Sequence, residues 1–327
     1  MINLVFFGGG RLLASILKEL NSKKYLKKFY IIAVVSDRHK NEIIIKNLTF
    51  KKFLDLNNIN YLITNKIENK LLKKFKKNSI GISLGAPWIF KSDFIKYFNG
   101  KFFNIHGSDL PQDKGGGGFS WQILLQREKA YATIHKLESG IDNGDIIFQN
   151  NFNVSNFKRP KEIQLEYEKK TKKFFLKKIY KLANMDYKGK KQNKKNSSYW
   201  PRLKTDLHGW IDWSWNAKEI VLFIKAFEEP YVGAHTKLNN KKVYLKNCLI
   251  KKSKNKFHPF QTGIIFRKDN NFLNICCGQY ILKVGKIFNN KRNLMLFKNI
   301  KVGDRFHTPR SILDKALSTR TFYTPKR

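Results

Sequence analysis

The stretch Phe103-Asn104-Ile105-His106-Gly107-Ser108-Asp109-Leu110-Pro111 carries an apolar run straight into a turn, with an amide and an imidazole at the junction. A second turn, Gly140-Ile141-Asp142-Asn143-Gly144-Asp145, brings a carboxylate 31 residues after Pro111. An Asn, a His and an Asp can together run an acyl transfer. The His manages a proton, the carboxylate orients and charges the His, and the amide steadies an oxyanion. Apolar runs that end in chemistry belong to parallel sheets, which hold their sites at the carboxyl ends of the strands. Asn104, His106 and Asp142 are therefore the candidate catalytic residues.

Working outward, strand and helix signals alternate on either side. Strands are expected at 3–7, 30–35, 60–63, 80–84 and 102–105, and helices at 11–20, 48–56, 68–75 and 91–98. Two more strands, 130–136 and 146–154, flank the Asp142 turn, and 161–182 reads as a long basic helix packed back on the sheet. The polar stretch 186–198 marks a boundary. Beyond it, Trp210-Ile211-Asp212-Trp213-Ser214-Trp215 leads into an amphipathic helix at 217–227 and five short strand-like runs. The expected fold is α/β: a Rossmann-like, mostly parallel sheet in domain 1–188, a linker at 189–203, and a smaller, mainly β, open-barrel (OB-like) domain at 204–327. The tail after Asp314 is basic and is expected to lack fixed structure in part.

At 327 residues the chain can bury two cores. No apolar run is long enough to span a bilayer, and Met1-Ile2-Asn3-Leu4-Val5-Phe6-Phe7-Gly8 reads as a first strand, so a cytoplasmic protein without a membrane partner is expected. Cys248, Cys276 and Cys277 show no paired spacing and read as reduced thiols. The net charge of +41 invites a nucleic-acid reading, but 54 of the 65 basic residues are Lys, spread along the whole chain as a solvated lysine-rich surface. Gly8-Gly9-Gly10 imitates a dinucleotide loop, yet Leu13 stands where the third Gly belongs, so a tight turn is the simpler reading. His135 reads as a structural histidine, although strand alternation can turn it to the site. The other histidines show no metal-ligand spacing, and no metal is expected.

Asn-x-His at a strand end, then Ser-x-Leu-Pro, then Gly-x-Asp-x-Gly, in this order, resembles the folate-dependent formyltransferase family, which includes sugar N-formyltransferases and methionyl-tRNA formyltransferases. The resemblance is strongest over 102–149 and returns at 199–236, in Pro201-Arg202, Ile211-Asp212-Trp213-Ser214 and Pro230-Tyr231-Val232-Gly233-Ala234. It implies that Ser83-Leu84-Gly85-Ala86-Pro87-Trp88 lines the pterin pocket of N10-formyltetrahydrofolate, with Leu84, Gly85, Ala86 and Trp88 on one wall and Leu137 and Gly140 on the other. In the family an Arg-Gly pair, two variable residues and a Pro follow the Ser-x-Leu-Pro turn. Here Lys114 replaces the Arg and Gly118 the Pro, within Lys114-Gly115-Gly116-Gly117-Gly118. That loop reads either as backbone able to approach a phosphate or as a flexible lead into a helix. Ser108, Lys114 and Trp121 are the candidate substrate-binding residues, Trp121 standing where sugar enzymes often have Trp and tRNA enzymes often have Arg.

The resemblance implies direct formyl transfer to an amine, with Asn104 on the developing oxyanion and Asp142 supporting His106. The expected acceptor is a nucleotide-linked amino sugar, because the segment 36–47 lacks the basic, Gly-rich loop of the tRNA enzymes. A methionyl-tRNA formyltransferase is the alternative, and a folate- or RNA-binding relic without turnover is a third reading. A homodimer is left open.

Overall fold

The structure, a computed structural model, describes residues 1–321 apart from 26, 46 and 117. Among these, seven strands form one sheet. From edge to edge they are Ile146–Asn153, Lys129–Lys136, Phe102–His106, Ile80–Leu84, Ile2–Gly8, Phe29–Val35 and Asn60–Ile63. The last five run parallel, and Lys129–Lys136 is antiparallel to both its neighbours. Strand alternation sorts the core into two layers. In the first strand Leu4 and Phe6 face the layer built with helices Gly10–Leu20 and Pro160–Ala183, while Val5 and Phe7 face the other. The Phe7 ring lies 5.2 to 6.0 Å, centroid to centroid, from the rings of Phe75, Phe90, Phe94, Phe98 and Phe102. Most of these pairs meet edge to face, the arrangement aromatic quadrupoles favour.

Three expected helices are clearly shorter than their sequence pattern, the one at 91–98 spanning only Ser92–Lys96. The one expected at 48–56 begins at Phe50, because Leu48 and Thr49 pair with Ile43–Ile45 and the Thr49 hydroxyl caps the helix by accepting from the Lys52 amide. The stretch expected at 68–75 is a 3-10 turn, Asn69–Lys74, followed by extended Phe75, whose ring is drawn into the phenylalanine layer.

The second sheet, antiparallel throughout and curled into a half-barrel, runs in the order Ile265–Lys268, Leu273–Cys277, Tyr280–Asn289, Lys241–Lys252, Ala234–Leu238 and Phe306–His307. Helix Ala217–Ala226 packs on it and also on helix Phe119–Leu124 of the first domain, where the Ser120 hydroxyl donates to Ala226 O at 2.7 Å. Arg159 Nε meets the buried Glu228 at 2.8 Å across the same seam. One apolar core continues from the first sheet into the second.

The polar segment expected to be the linker is hydrogen-bonded to the first sheet and to the glycine run. Lys190 exchanges two backbone hydrogen bonds with Ile146, and Tyr199–Trp200 pairs in parallel with Lys114–Gly115. Helix Arg310–Ser318 runs four residues into the tail after Asp314, part of which was expected to lack fixed structure, and residues 322–327 of that tail lie outside the described residues. The three cysteines are buried and unbridged. Among the described residues no helix is long and apolar enough to cross a membrane.

Two buried histidines are held neutral. Burial, reinforced by Lys242, lowers His235 to about 3, and burial, reinforced by Arg38 and Arg202, lowers His39 to about 4. His235 is wedged edge-on between Trp210 and Tyr244, with ring centroids 4.3 and 5.4 Å away. An unfolded chain protonates these side chains near their ordinary value of 6.5. Their contribution to stability is therefore complete above that value and is lost as pH falls toward the depressed values, at about 1.4 kcal/mol per pH unit for each. Thermal unfolding at about pH 5 is expected to occur well below that at about pH 7, and His235→Gln should reduce the difference. A parent and variant with the same pH slope would remove His235 from this account.

Candidate active site

Asn104 and His106 are two apart on one strand, so both side chains leave the same face at its carboxyl end. Asp142 sits in the turn between Lys129–Lys136 and Ile146–Asn153 with a left-handed φ of 47°. Gln192 fixes that turn by donating to Asp142 O at 2.8 Å and Gly144 O at 2.7 Å. The Asp142 carboxylate then becomes the meeting point. Its Oδ1 lies 3.7 Å from His106 Nδ1, 3.5 Å from His135 Nε2 and 3.4 Å from Asn104 Nδ2. Its Oδ2 accepts from the Gly115 amide at 3.0 Å.

The neighbours assign the ring protons. His106 Nε2 is 3.1 Å from Asp113 O and also meets the Ser108 hydroxyl, which itself donates to the same carbonyl. A carbonyl only accepts, so Nε2 carries a hydrogen and Nδ1, facing Asp142, is the nitrogen that can gain or lose one. His135 Nδ1 donates to Lys136 O at 2.7 Å, which leaves its Nε2 to accept from Asn104 Nδ2 at 3.1 Å. One hydrogen of the Asn104 amide is thereby committed. The other, in the long 3.4 Å contact with Asp142, is the one free to turn toward a reacting oxygen. Burial alone would push the Asp142 carboxyl up. The His106 imidazole beside it and the Gly115 amide outweigh it and hold that carboxyl well below the usual carboxylate range.

These groups open onto one cavity of about 760 Å³. Its lining includes Asn104, His106 and Asp142 together with Leu84, Gly85, Ala86, Trp88, Leu137 and Gly140, so the residues expected to form two pocket walls share one space. Trp88 serves core and wall alike, since it is 8% exposed and its indole donates to Asn65 O at 3.2 Å. Ser108, Lys114 and Trp121 are not brought to the lining. Ser108 is buried behind His106, Lys114 pairs in the short ribbon with Tyr199, and the Trp121 indole donates to Pro201 O at 2.8 Å while its ring rests against Trp200 at 5.0 Å. Among the described residues no group of side chains is arranged to hold a metal ion.

Sequence reasoning missed three contributors. His135 lies directly opposite Asn104 in the antiparallel register, and directly opposed strand residues share a face. Strand alternation left it able to face the site, and the register with Asn104 places it there against its reading as a structural histidine. The glycine run, of which Gly117 lies outside the described residues, is shaped by what crosses it. A Cβ on Gly115, at φ 82°, would stand 2.3 Å from the Tyr199 ring, and one on Gly116 would stand 2.5 Å from the Arg202 backbone. The loop is therefore clamped under residues 199–202, which aims the Gly115 amide at Asp142. Finally, Arg202, Arg320 and Thr321 line the cavity from far along the chain.

Comparison with known proteins agrees with this geometry. Residues 2–179 match the family model described as formyl transferase, and 204–303 match that for the formyl transferase C-terminal domain. The chain is similar to the bifunctional polymyxin resistance protein ArnA of Wigglesworthia glossinidia brevipalpis, at 27% identity over 299 residues, covering 84% of this chain and 41% of that protein. It is also similar to the methionyl-tRNA formyltransferase of Marinobacter nauticus, at 25% identity over 181 residues, covering 55% of this chain and 57% of that protein. The chain thus spans about four- to six-tenths of the length of these curated relatives. Among solved structures, WlaRD, a sugar 3N-formyltransferase crystallised in the presence of dTDP and 5-N-formyl-THF, superposes with a TM-score of 0.64 at 25% identity, covering 87% of this chain and 97% of that one. With more than half of its residues inside the first of the two matching models, and the second accounting for most of the rest, the chain belongs to the formyl transferase family.

Proposed function

We propose that this chain transfers a formyl group from N10-formyltetrahydrofolate to a primary amine, and that the amine is carried by a nucleotide-linked sugar. The observation that carries the transfer is the convergence of Asn104, His106 and Asp142 on one cavity wall. The cavity suits a folate. Ser83–Gly85 and 137–140 offer backbone polar groups, and Trp88, Ile89, Phe90 and Ile141 offer apolar surface to a flat ring. Bound there, N10-formyltetrahydrofolate would supply an activated formyl carbon.

The chain's own residues divide the remaining work. Asp142 stays ionised at any working pH and opposes whatever charge His106 acquires. His106 Nε2 is locked to Asp113 O and Ser108, so Nδ1 is the atom that takes the proton an attacking amine must lose. The uncommitted N–H of Asn104 donates to the formyl oxygen as charge builds there. No nucleophilic Ser or Cys is called for, and the three cysteines are buried away from the cavity.

Two things support a sugar acceptor. The structural neighbour WlaRD is a sugar enzyme whose full length this chain matches closely. Within 36–45 the chain forms helix Asp37–Lys40, capped by Ser36, and the short strand Ile43–Ile45, which pairs with Leu48–Thr49. The similarity to a methionyl-tRNA formyltransferase keeps tRNA as the second reading.

Three outcomes are expected. Asn104→Ala should lower kcat roughly 100- to 1000-fold with 5-formyltetrahydrofolate binding retained, and a near-normal rate in that variant would refute the oxyanion role. Because His135 aims the amide, His135→Phe should lower kcat by about tenfold or more with little change in KM, and His135→Gln, which keeps an acceptor, should recover part of the loss. Equal rates for the two variants would make His135 a packing residue. In acceptor assays with formyl-folate, a panel of dTDP-, UDP- and GDP-linked amino sugars should include a substrate, whereas charged initiator tRNA should not be formylated. Formylation of the tRNA alone would establish the second reading.

A further inference from the structure

Helix Pro160–Ala183 lays one face along the cavity next to the candidate catalytic residues. Gln164, Tyr167 and Glu168 stand at i, i+3 and i+4, so they are neighbours on that helix, and all three line the cavity. Tyr167 shows how near this face comes to the chemistry. A Cβ on Gly107, the residue after His106, would stand 3.2 Å from the Tyr167 hydroxyl and from the ring carbon that bears it. The Tyr167 ring also meets Phe119, a second lining residue, at 5.8 Å and near edge to face. Burial pushes the Tyr167 phenol up, so the two rings form a neutral, largely apolar wall.

Glu168 is the charged exception on this wall, with a side chain only 16% exposed. Two donors hold it. Arg11 Nε, from the first turn of helix Gly10–Leu20, donates to Oε2 at 3.3 Å, and Gln164 Nε2 donates to Oε1 at 2.8 Å. Among the described residues these are its hydrogen-bond donors, one to each oxygen. A carboxylate offers about four acceptor sites, so each oxygen of this fixed plane can accept once more. What it accepts from must carry O–H or N–H groups. A diphosphate at neutral pH carries only acceptor oxygens and cannot bond to Glu168, whereas every hydroxyl of a sugar can. Fixed acceptors beside aromatic surface also suit a pyranose, whose rim is polar and whose C–H faces are apolar.

We propose that Glu168, held by Arg11 and Gln164 beside the rings of Tyr167 and Phe119, is the sugar-reading element of the acceptor site and accepts hydrogen bonds from ring hydroxyls near the reacting amine. This rests on the formyl-transfer reading, which puts that amine beside His106. The hydroxyls of an amino sugar lie within a few bonds of its amine, and the contact of Tyr167 with Gly107 brings this helix face to the same side of the cavity. Affinity for the sugar and affinity for its nucleotide are thereby carried by different residues.

The test uses calorimetry on the full chain. It measures the affinities for dTDP, UDP and GDP and for the matching dTDP-, UDP- and GDP-linked amino sugars, with 5-formyltetrahydrofolate binding in parallel. The ratio of each pair isolates what the sugar adds. In the unmodified protein at least one linked amino sugar should bind about tenfold or more tightly than its free nucleotide. Glu168→Ala should remove most of that ratio, and Glu168→Gln, which keeps one acceptor oxygen, should retain part of it. Both variants should bind the free nucleotide and 5-formyltetrahydrofolate as the parent does. An unchanged ratio in Glu168→Ala overturns the inference and leaves the formyl-transfer reading intact. So does an equal loss of affinity for nucleotide and linked sugar, since Glu168 would then only support the wall. If the unmodified protein binds 5-formyltetrahydrofolate but no amino sugar more tightly than its nucleotide, both this inference and the sugar acceptor fail while formyl transfer stands.

Discussion

The candidate site is organised around one carboxylate whose side chain is only 14% exposed. Asp142 gathers an imidazole, a second imidazole, a side-chain amide and a backbone amide around two oxygens. A lone carboxylate at that depth would be costly, and its neighbours remove the cost by opposing or hydrogen-bonding its charge. The dependence runs both ways. The groups that stabilise the charge are also the groups the proposed transfer would use, so one set of contacts would meet the electrostatic requirement of folding and the geometric requirement of that reaction.

Much of this was legible in the chain because it is local. An apolar run ending in Asn104-Ile105-His106 declares a strand and the end that carries the site, and Gly140 through Gly144 declares a turn. The parallel sheet follows from alternation of strand and helix signals. What could not be read depends on pairing across distance. His135 joins the site only through its register with Asn104, and the glycines at 115 and 116 make sense only once residues 199–202 lie across them. The same limit explains Trp121, which stands at a suggestive position in the sequence but whose indole is turned to Pro201 and Trp200 by a contact 80 residues away. Helix ends shifted where a local pattern competed with tertiary demand, as when Leu48 and Thr49 were taken into a ribbon.

The two domains are less separable than their composition suggests. A polar, lysine-rich stretch normally reads as a tether, yet here its backbone is hydrogen-bonded to a strand edge at Ile146 and to the glycine run at Lys114. An apolar core shared across the seam and the Arg159–Glu228 pair bind the halves together. Gln192, from the middle of the stretch, even fixes the Asp142 turn. Lysine richness marks solvent exposure of side chains, and it says little about whether the backbone beneath is free.

Residues 319–321 return to the cavity, where the Thr321 hydroxyl donates to Arg202 O, and this return sets the order in which the cavity is completed. A ribosome delivers residues 84–142, which supply the three candidate catalytic residues and most of the expected folate walls, long before it delivers Arg320 and Thr321. The cavity is thus assembled in two instalments during synthesis, chemistry first and the far rim last. A nascent chain, or one clipped by a protease after helix Arg310–Ser318, carries the candidate catalytic residues with one side of the cavity left open.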